Sequence, residues 1–540
     1  MVNFVKNIDW SFPKICFIAS LTTLLMLVSM LFLTNGKFIY IQDDAYIHLE
    51  IAKNLVDHGV WGVSYKEAAS ASSSPLWIII LAFIYLLVGN YVEYAPLVIN
   101  IVLFFIILKF LWDTLVEYEV GPRRSFVAVL FIWLVTPLGP FIFGGMEHLF
   151  HILVVLMFLK SLESWLTNEE NKSFPPLSLF VLTFFVAAFR YEGMFLVASA
   201  VFFVLLKKKV AAAITMLGVG AMPMTLFGLW SVNNGLFFLP NSLLMKKKVG
   251  SSLLLAAKNL FSVAYGNIKM PIFTLFGTQL FLGLHLSIFK NNGDFWRKGT
   301  IGLGVVALAF ILHAIFGRFS WVPMYRYEAY LVLSGILYLF LALRQYRIED
   351  LVSTSKLFSV SSFVFVILFV ILSMPFIKRL YSWPHAVISS KNIYEQHYQL
   401  SKFFDRYYKG KTIGANDIGA ISYFGGIDVI DFWGLADNKV ASAKMNGSFG
   451  PSTMENIGLE RGMDFAVLFE SWFGDNIPKN WIRVASWTIE GNVVAGSPTV
   501  TFFMPNCLGV VSLQNNLRDF SSTLKGVSLW YNDVDICHGW

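Results

Sequence analysis

Leu76-Trp-Ile-Ile-Ile-Leu-Ala-Phe-Ile-Tyr-Leu-Leu-Val88 is an unbroken apolar run of only about 13 residues. A helix that crosses the hydrocarbon core needs ~20, so this run suits a re-entrant or interfacial helix better than a span. The choice sets the topology of everything after it. Suppose the run does not cross and the N-terminus is cytoplasmic. Arg123/Arg124, Lys172, Lys207–Lys209, Lys290/Arg297/Lys298 and Arg344/Arg347/Lys356 then all fall inside, as short basic loops should. If the run does cross, the early loops invert and Arg123/Arg124 fall outside. The first arrangement satisfies every short basic loop.

Composition agrees with a membrane protein. Of 540 residues, 56% are hydrophobic and 14% charged, with mean hydropathy +0.63. A soluble globular chain carries about 25% charged residues. A soluble enzyme, a disordered chain and a disulfide scaffold are therefore excluded. The net charge of +7 is no nucleic-acid footprint, because Lys and Arg are scattered between apolar blocks. The first long apolar run, Ile15–Thr34, follows Lys6 and Lys14 and lacks a small-residue cleavage site, so it is expected to remain as the first helix. Further runs are Ala95–Trp112, Ser125–Phe143, Leu149–Leu162, Leu177–Phe189, Met194–Leu206, Val210–Trp230, Pro271–Phe289, Thr300–Phe316, Tyr327–Leu343 and Leu357–Phe376. The sequence thus predicts a polytopic α-helical membrane protein with about 11 spans, N-terminus in and C-terminus out.

This orientation puts Asn35–Tyr94, the turn Gly144–His148, the loop Ser231–Met270 and everything after about Ile377 outside. Two domains follow: residues 1–377 in the membrane, with the large first loop 35–94, and residues 378–540 as a soluble α/β domain. In the latter, Ile393–Tyr408 reads as an amphipathic helix. Thr412–Ala415, Val429–Phe432, Phe465–Phe469, Trp481–Ser486 and Thr499–Met504 read as strands. Cys507 and Cys537 both fall there, where an oxidising compartment permits a bridge but the sequence does not supply its geometry. Cys16 is expected to be buried in a span and inert.

The chemistry-bearing residues gather at the outer ends of the spans. Asp43 and Asp44 open a helix, Ala45–Asp57, whose stripe of Ile47, Ile51 and Leu55 suits the membrane face. A carboxylate there can act as a general base, and two adjacent acids raise each other's pKa. An Asp in that place is equally a helix cap. Lys246, Lys247 and Lys248 sit outside against the positive-inside rule, and Arg190, Arg318 and Arg326 sit at outer ends of spans. Such cations suit a lipid-linked phosphate, although the lysines alone also fit a solvated loop. Glu147 and Glu192 are acids at membrane depth, where an acid serves a site or an ion pair, and Arg190–Glu192 could simply be a pair. His148 and His151 lie one turn apart near Glu147 without a third ligand, so zinc is not expected.

Asp43-Asp44-Ala-Tyr-Ile-His-Leu-Glu-Ile-Ala-Lys-Asn-Leu-Val-Asp-His-Gly, followed by Ala71-Ser-Ser-Ser-Pro-Leu-Trp77, resembles the first extracytoplasmic loop of GT-C membrane glycosyltransferases. Further matches in order are Gly144-Gly-Met-Glu147, Phe189-Arg-Tyr-Glu-Gly193, Asn234-Gly with Leu239-Pro-Asn-Ser242, Arg326-Tyr327, and Asn416-Asp-Ile-Gly with Asp431-Phe-Trp-Gly-Leu435. The chain is most similar to the terminal arabinofuranosyltransferase type, and more distantly to aminoarabinose transferases and protein O-mannosyltransferases. Tyr191 stands where that family usually has Pro, which weakens the match at Glu192.

The resemblance implies an inverting transferase in a bacterial cytoplasmic membrane. It would move a sugar from a polyprenyl-phosphate donor to a glycan, glycolipid or protein hydroxyl on the outer face. Asp44 takes the base position, Asp43 its neighbour and Glu147 the second acid. Lys246, Lys247, Lys248, Arg326 and Arg190 would face the donor phosphate, with His48, Glu192, Asn241 and Asp417 as acceptor or supporting residues. No dedicated metal site is expected. Mg²⁺ or Mn²⁺ held by Asp43, Asp44 and Glu147 is chemically open but not favoured, because the basic residues can neutralise the phosphate. Two other functions compete: a flippase for polyprenyl-linked glycans, which would want polar residues at the midplane and repeated halves, and a non-catalytic glycan-binding assembly factor, which leaves the Asp pair without a role.

Overall fold

The computed structural model describes residues 10–168, 173–245, parts of 277–288, 295–317, 326–344, 378–533 and 537. Its membrane half is helical. In chain order the helices are α1 (Phe12–Leu33), α2 (Asp44–His58), α3 (Pro75–Val88), α4 (Ala95–Glu117), α5 (Pro122–Val135), α6 (His148–Thr167), α7 (Leu177–Phe189), α8 (Gly193–Leu206), α9 (Val210–Asn233), α10 (Thr300–Phe316) and α11 (Ala329–Leu343).

Among the described residues four apolar helices have the length to cross a bilayer: Phe12–Leu33, the run Pro75–Glu117, His148–Thr167 and Val210–Asn233. Shorter apolar helices are Leu177–Phe189, Gly193–Leu206, Thr300–Phe316 and Ala329–Ala342. Phe17, Leu24 and Phe32 of α1 and Val98 and Val102 of α4 stand exposed, a surface suited to lipid rather than water. The expected run Leu357–Phe376 lies outside the described residues, as does part of Pro271–Phe289.

Proline and glycine set the helix boundaries. The run Pro75–Glu117 is broken by a 3₁₀ turn at Gly89–Tyr94, which leaves α3 only 14 residues long. The expected Ser125–Phe143 run is also divided: α5 stops at Val135, and a single turn, Leu138–Ile142, follows Pro137.

The C-terminal half begins with one long helical rod. α12 (Ser382–Ile393) passes through a π turn (Tyr394–Tyr398) into α13 (Gln399–Tyr407). Trp383 at its foot lies over Gly139, where a Cβ would stand 2.4 Å from the indole. The rod carries a six-stranded sheet in the order β2-β1-β3-β5-β4-β6. The strands are β1 (Thr412–Ala415), β2 (Asp428–Asp431), β3 (Phe465–Leu468), β4 (Ile482–Ile489), β5 (Thr499–Met504) and β6 (Val527–Tyr531). β2, β1 and β3 run parallel and the rest are antiparallel. Helices α14 (Gly419–Gly425), α15 (Asn438–Met445), α16 (Pro451–Glu460) and α17 (Val510–Ser521) complete the domain. Cys507 and Cys537 form a disulfide across 30 residues, while Cys16 in α1 is half-buried rather than buried.

A further expectation changes. α2 does not lie with a free face over the membrane. Tyr46, His48, Glu50 and Ile51 are all buried, so it is covered on most sides. The C-terminal domain supplies the cover: Tyr46 packs on Phe424 (ring centroids 5.1 Å apart) and Tyr423 (5.9 Å), both in α14.

Candidate functional site

The two adjacent acids at the start of α2 turn in different directions. Asp43 occupies the N-cap position, but its side chain bonds no amide of its own helix. Its two carboxylate oxygens accept instead from the backbone N–H groups of Gly419 (2.7 Å) and Ala420 (2.8 Å), at the start of α14. Only glycine fits at 419, because a Cβ would lie 2.1 Å from the Asp43 carbonyl oxygen. Asp44 pairs with Arg326 and keeps 31% of its side chain exposed. Arg326 also lies over the Tyr327 ring at 5.6 Å.

Behind Asp43 stand two residues of the C-terminal half. His397, in the π turn, places Nε2 3.1 Å from Oδ2 of Asp417, in the loop after β1. Burial pushes the Asp43 carboxyl up, against the pull of His397 and the two N–H donors. Burial opposes charge on His397 as well, yet the Asp43 and Asp417 carboxylates outweigh it and raise its pKa. The loop is braced by Asn416, whose Oδ1 accepts from Phe469 N–H (2.8 Å) across the C-terminal edges of β1 and β3. This is the edge of a parallel sheet where ligands commonly sit.

A buried polar layer lies beneath the first loop. Glu147 is fully buried; its Oε1 accepts from Arg190 Nη1 (2.6 Å) and from Ser74 Oγ (2.7 Å). Arg190 also donates to Glu192 Oε1 (2.9 Å) and lies 3.3 Å from His148 Nδ1. So Arg190 and Glu192 do pair, but as part of a larger cluster centred on Glu147. The turn that delivers Glu147 needs glycine at 145, which has φ +68° and would place a Cβ 2.5 Å from Ala45 in the first turn of α2. Ser70, Ser72 and Ser74 organise this layer. The Ser70 carbonyl accepts from Asn241 N–H (2.9 Å), Ser72 Oγ lies 3.0 Å from His48 Nε2, and Ser74 holds Glu147. Asn241 in turn donates to Asn438 Oδ1 (2.9 Å) at the start of α15.

A charged seam locks the loop to the C-terminal domain. Asp428 of β2 accepts from Ser64 Oγ (2.7 Å) and pairs with Lys66 (2.8 Å) and Arg461 (3.5 Å). Arg461 also reaches Asp437 (3.1 Å) and Glu67 (2.5 Å).

Of the sequence-singled residues, Asp43 and Asp417 thus meet where α2, α14 and the loop after β1 converge, and Asp44, turned away from them, pairs with Arg326. Glu147, Arg190 and Glu192 form the buried layer below, and His48 and Asn241 join it through the serine run. Lys246, Lys247, Lys248 and Arg318 lie outside the described residues. Asp43, Asp44 and Glu147, the disfavoured set for Mg²⁺ or Mn²⁺, do not gather: Glu147 is taken up by Arg190 and Ser74, whereas Asp43 clusters with His397 and Asp417. His397 was missed by sequence reasoning, and Gly419, Ser72 and Ser74 stood in the quoted motifs without a role. Their partners lie 20 to 376 residues away in the chain, so no local spacing announces them.

A family model described as a domain of unknown function, DUF8728, matches residues 391–503. That match takes in His397, Asp417, Gly419 and strands β1 to β4, and ends within β5. No curated protein matches the chain.

Proposed function

We propose that the chain is an inverting membrane glycosyltransferase of GT-C type. It would take a sugar from a polyprenyl-phosphate donor and transfer it to a hydroxyl of a glycan, glycolipid or protein on the outer face of the bacterial cytoplasmic membrane. The observation that carries this is the Asp44–Arg326 pair, part-exposed beside the junction of the first loop and the soluble domain. The acceptor oxygen forms a bond to the anomeric carbon on the face opposite the leaving phosphate. The carbon–oxygen bond to the phosphate breaks, and the acceptor proton goes to Asp44. The phosphate leaves with both electrons of that bond, and Arg326 meets its charge. In the unliganded protein the two groups neutralise each other. A donor phosphate on Arg326 would release Asp44 to act as base. Arg190, buried and paired with Glu147 and Glu192, serves to position Glu147 rather than to meet the phosphate.

The accompanying topology has about 11 spans, a cytoplasmic N-terminus and an external C-terminal domain. The Cys507–Cys537 disulfide supports that side for the domain, since such bridges persist in oxidising compartments. The test is release of polyprenyl phosphate and formation of glycosylated acceptor by the purified chain, offered a panel of polyprenyl-phosphate sugars. Wild type should turn over and Asp44→Asn should not. Equal turnover by both proteins would overturn the assignment.

A further inference from the structure

Three stretches far apart in the chain converge on one point. The start of α2 brings Asp43, the π turn brings His397, and the loop after β1 brings Asp417. One ligand atom from each lies within 4.8 Å of the others. The 3.1 Å between His397 Nε2 and Asp417 Oδ2 is the separation of two adjacent ligands on one ion, given metal–ligand bonds of ~2.0–2.2 Å. Each Asp43 oxygen spends one lone pair on a backbone N–H and keeps another.

Beside the cluster is a small cavity bounded by Gln396, His397, Asn416 and Asp417. The Gln396 side chain is fully buried. Its amide nitrogen donates to the carbonyls of Ser497 (3.1 Å) and Pro498 (3.2 Å), while its Oε1 has no donor. A buried, unpartnered acceptor on a residue that lines a cavity calls for a donor, and a water carried on an ion is one.

We propose that Asp43, His397 and Asp417 bind a divalent transition-metal ion, with a water in the Gln396 cavity as a further ligand. One imidazole with two carboxylates fits Zn²⁺ or Mn²⁺ better than Mg²⁺, which prefers an all-oxygen shell. The ion balances the charge of both carboxylates, which a single imidazolium does only by half. It also ties the loop that carries Asp44 to the soluble domain. The proposal does not depend on the transferase reading, because it is read out without any substrate.

The experiment uses the full chain, purified without a polyhistidine tag, stripped with a chelator and reloaded separately with ZnCl₂ or MnCl₂. Elemental analysis should find about one ion per chain in wild type and in Glu460→Gln, a surface control. Asp417→Asn and His397→Gln should lose it. Thermal unfolding should shift upward with metal in wild type only. If His397→Gln fails to fold, Asp417→Asn carries the comparison, its carboxylate being 27% exposed. Zinc-edge absorption of the loaded wild type should fit one imidazole among oxygen ligands. No uptake of either ion by wild type, unchanged uptake by Asp417→Asn, or a zinc shell without imidazole would each overturn the proposal.

Discussion

The carboxylate of Asp44 pairs with the guanidinium of Arg326, while Asp43, one residue earlier, turns away to the N–H groups of Gly419 and Ala420. Neighbouring acids of one helix start are thereby given separate work. Asp43 holds the C-terminal domain against the first loop. Asp44 keeps solvent access and a cationic partner that a phosphate can claim.

Asp44→Asn should therefore lower turnover by ~10²–10⁴, the usual scale for removing a general base. Donor binding should survive or tighten, because Arg326 is left without its competitor. Turnover and donor affinity measured on the same purified variant check both halves. Retained turnover would move the base elsewhere.

Gly419→Ala should loosen the same junction. Its Cβ would meet the Asp43 carbonyl oxygen at 2.1 Å, so α14 or α2 must shift. Overpacking of this kind costs typically 1–3 kcal/mol. A lowered unfolding midpoint, with faster proteolysis between the first loop and the domain, is the expected result. A midpoint equal to wild type would mean that the junction yields without cost.

The Glu147 layer gives a graded test. Ser74→Ala removes one neutral donor to Glu147 and should cost about 1 kcal/mol. Glu147→Gln leaves Arg190 buried with only Glu192 to neutralise it, and losses of ~3–5 kcal/mol follow when a buried pair is broken. Unfolding midpoints should fall in that order. The reverse order would show that Glu192 alone suffices for Arg190.

Much of the fold was legible. β1 and β5 fall at the expected Thr412–Ala415 and Thr499–Met504, and the helix expected at Ile393–Tyr408 exists within a longer rod. β6 went unread because Val527–Tyr531 is a short edge strand with no fully buried residue, so it leaves little apolar signal. Site residues divided in a similar way. Asp43, Asp44 and Glu147 announce themselves by being acids at apolar boundaries. His397 does not, because a histidine inside an amphipathic helix looks like any other polar position until the π turn and the chain's return bring Asp417 to it. The expectation that α2 faces the bilayer failed for a related reason: its second cover is α14, more than 360 residues on.

The last prediction concerns Glu50. It lies on α2, is buried, and its Oε2 has no hydrogen-bond donor. Burial pushes its pKa up from 4.5 to about 7, against the pull of Lys53 and Asn54. The sign follows from linkage. The folded chain holds this proton more tightly than the unfolded chain does, so the neutral acid favours the fold. That contribution is complete below about pH 4.5 and is lost as pH rises through about 7. The whole span is worth about 3 kcal/mol, at ~1.4 kcal/mol per pH unit. Glu50→Gln imitates the neutral acid at every pH. Wild type should therefore unfold at a lower temperature at pH 8 than at pH 5.5. Glu50→Gln should flatten that difference and exceed wild type at pH 8. Parallel curves for the two proteins across this range would show that Glu50 stays ionised in the fold.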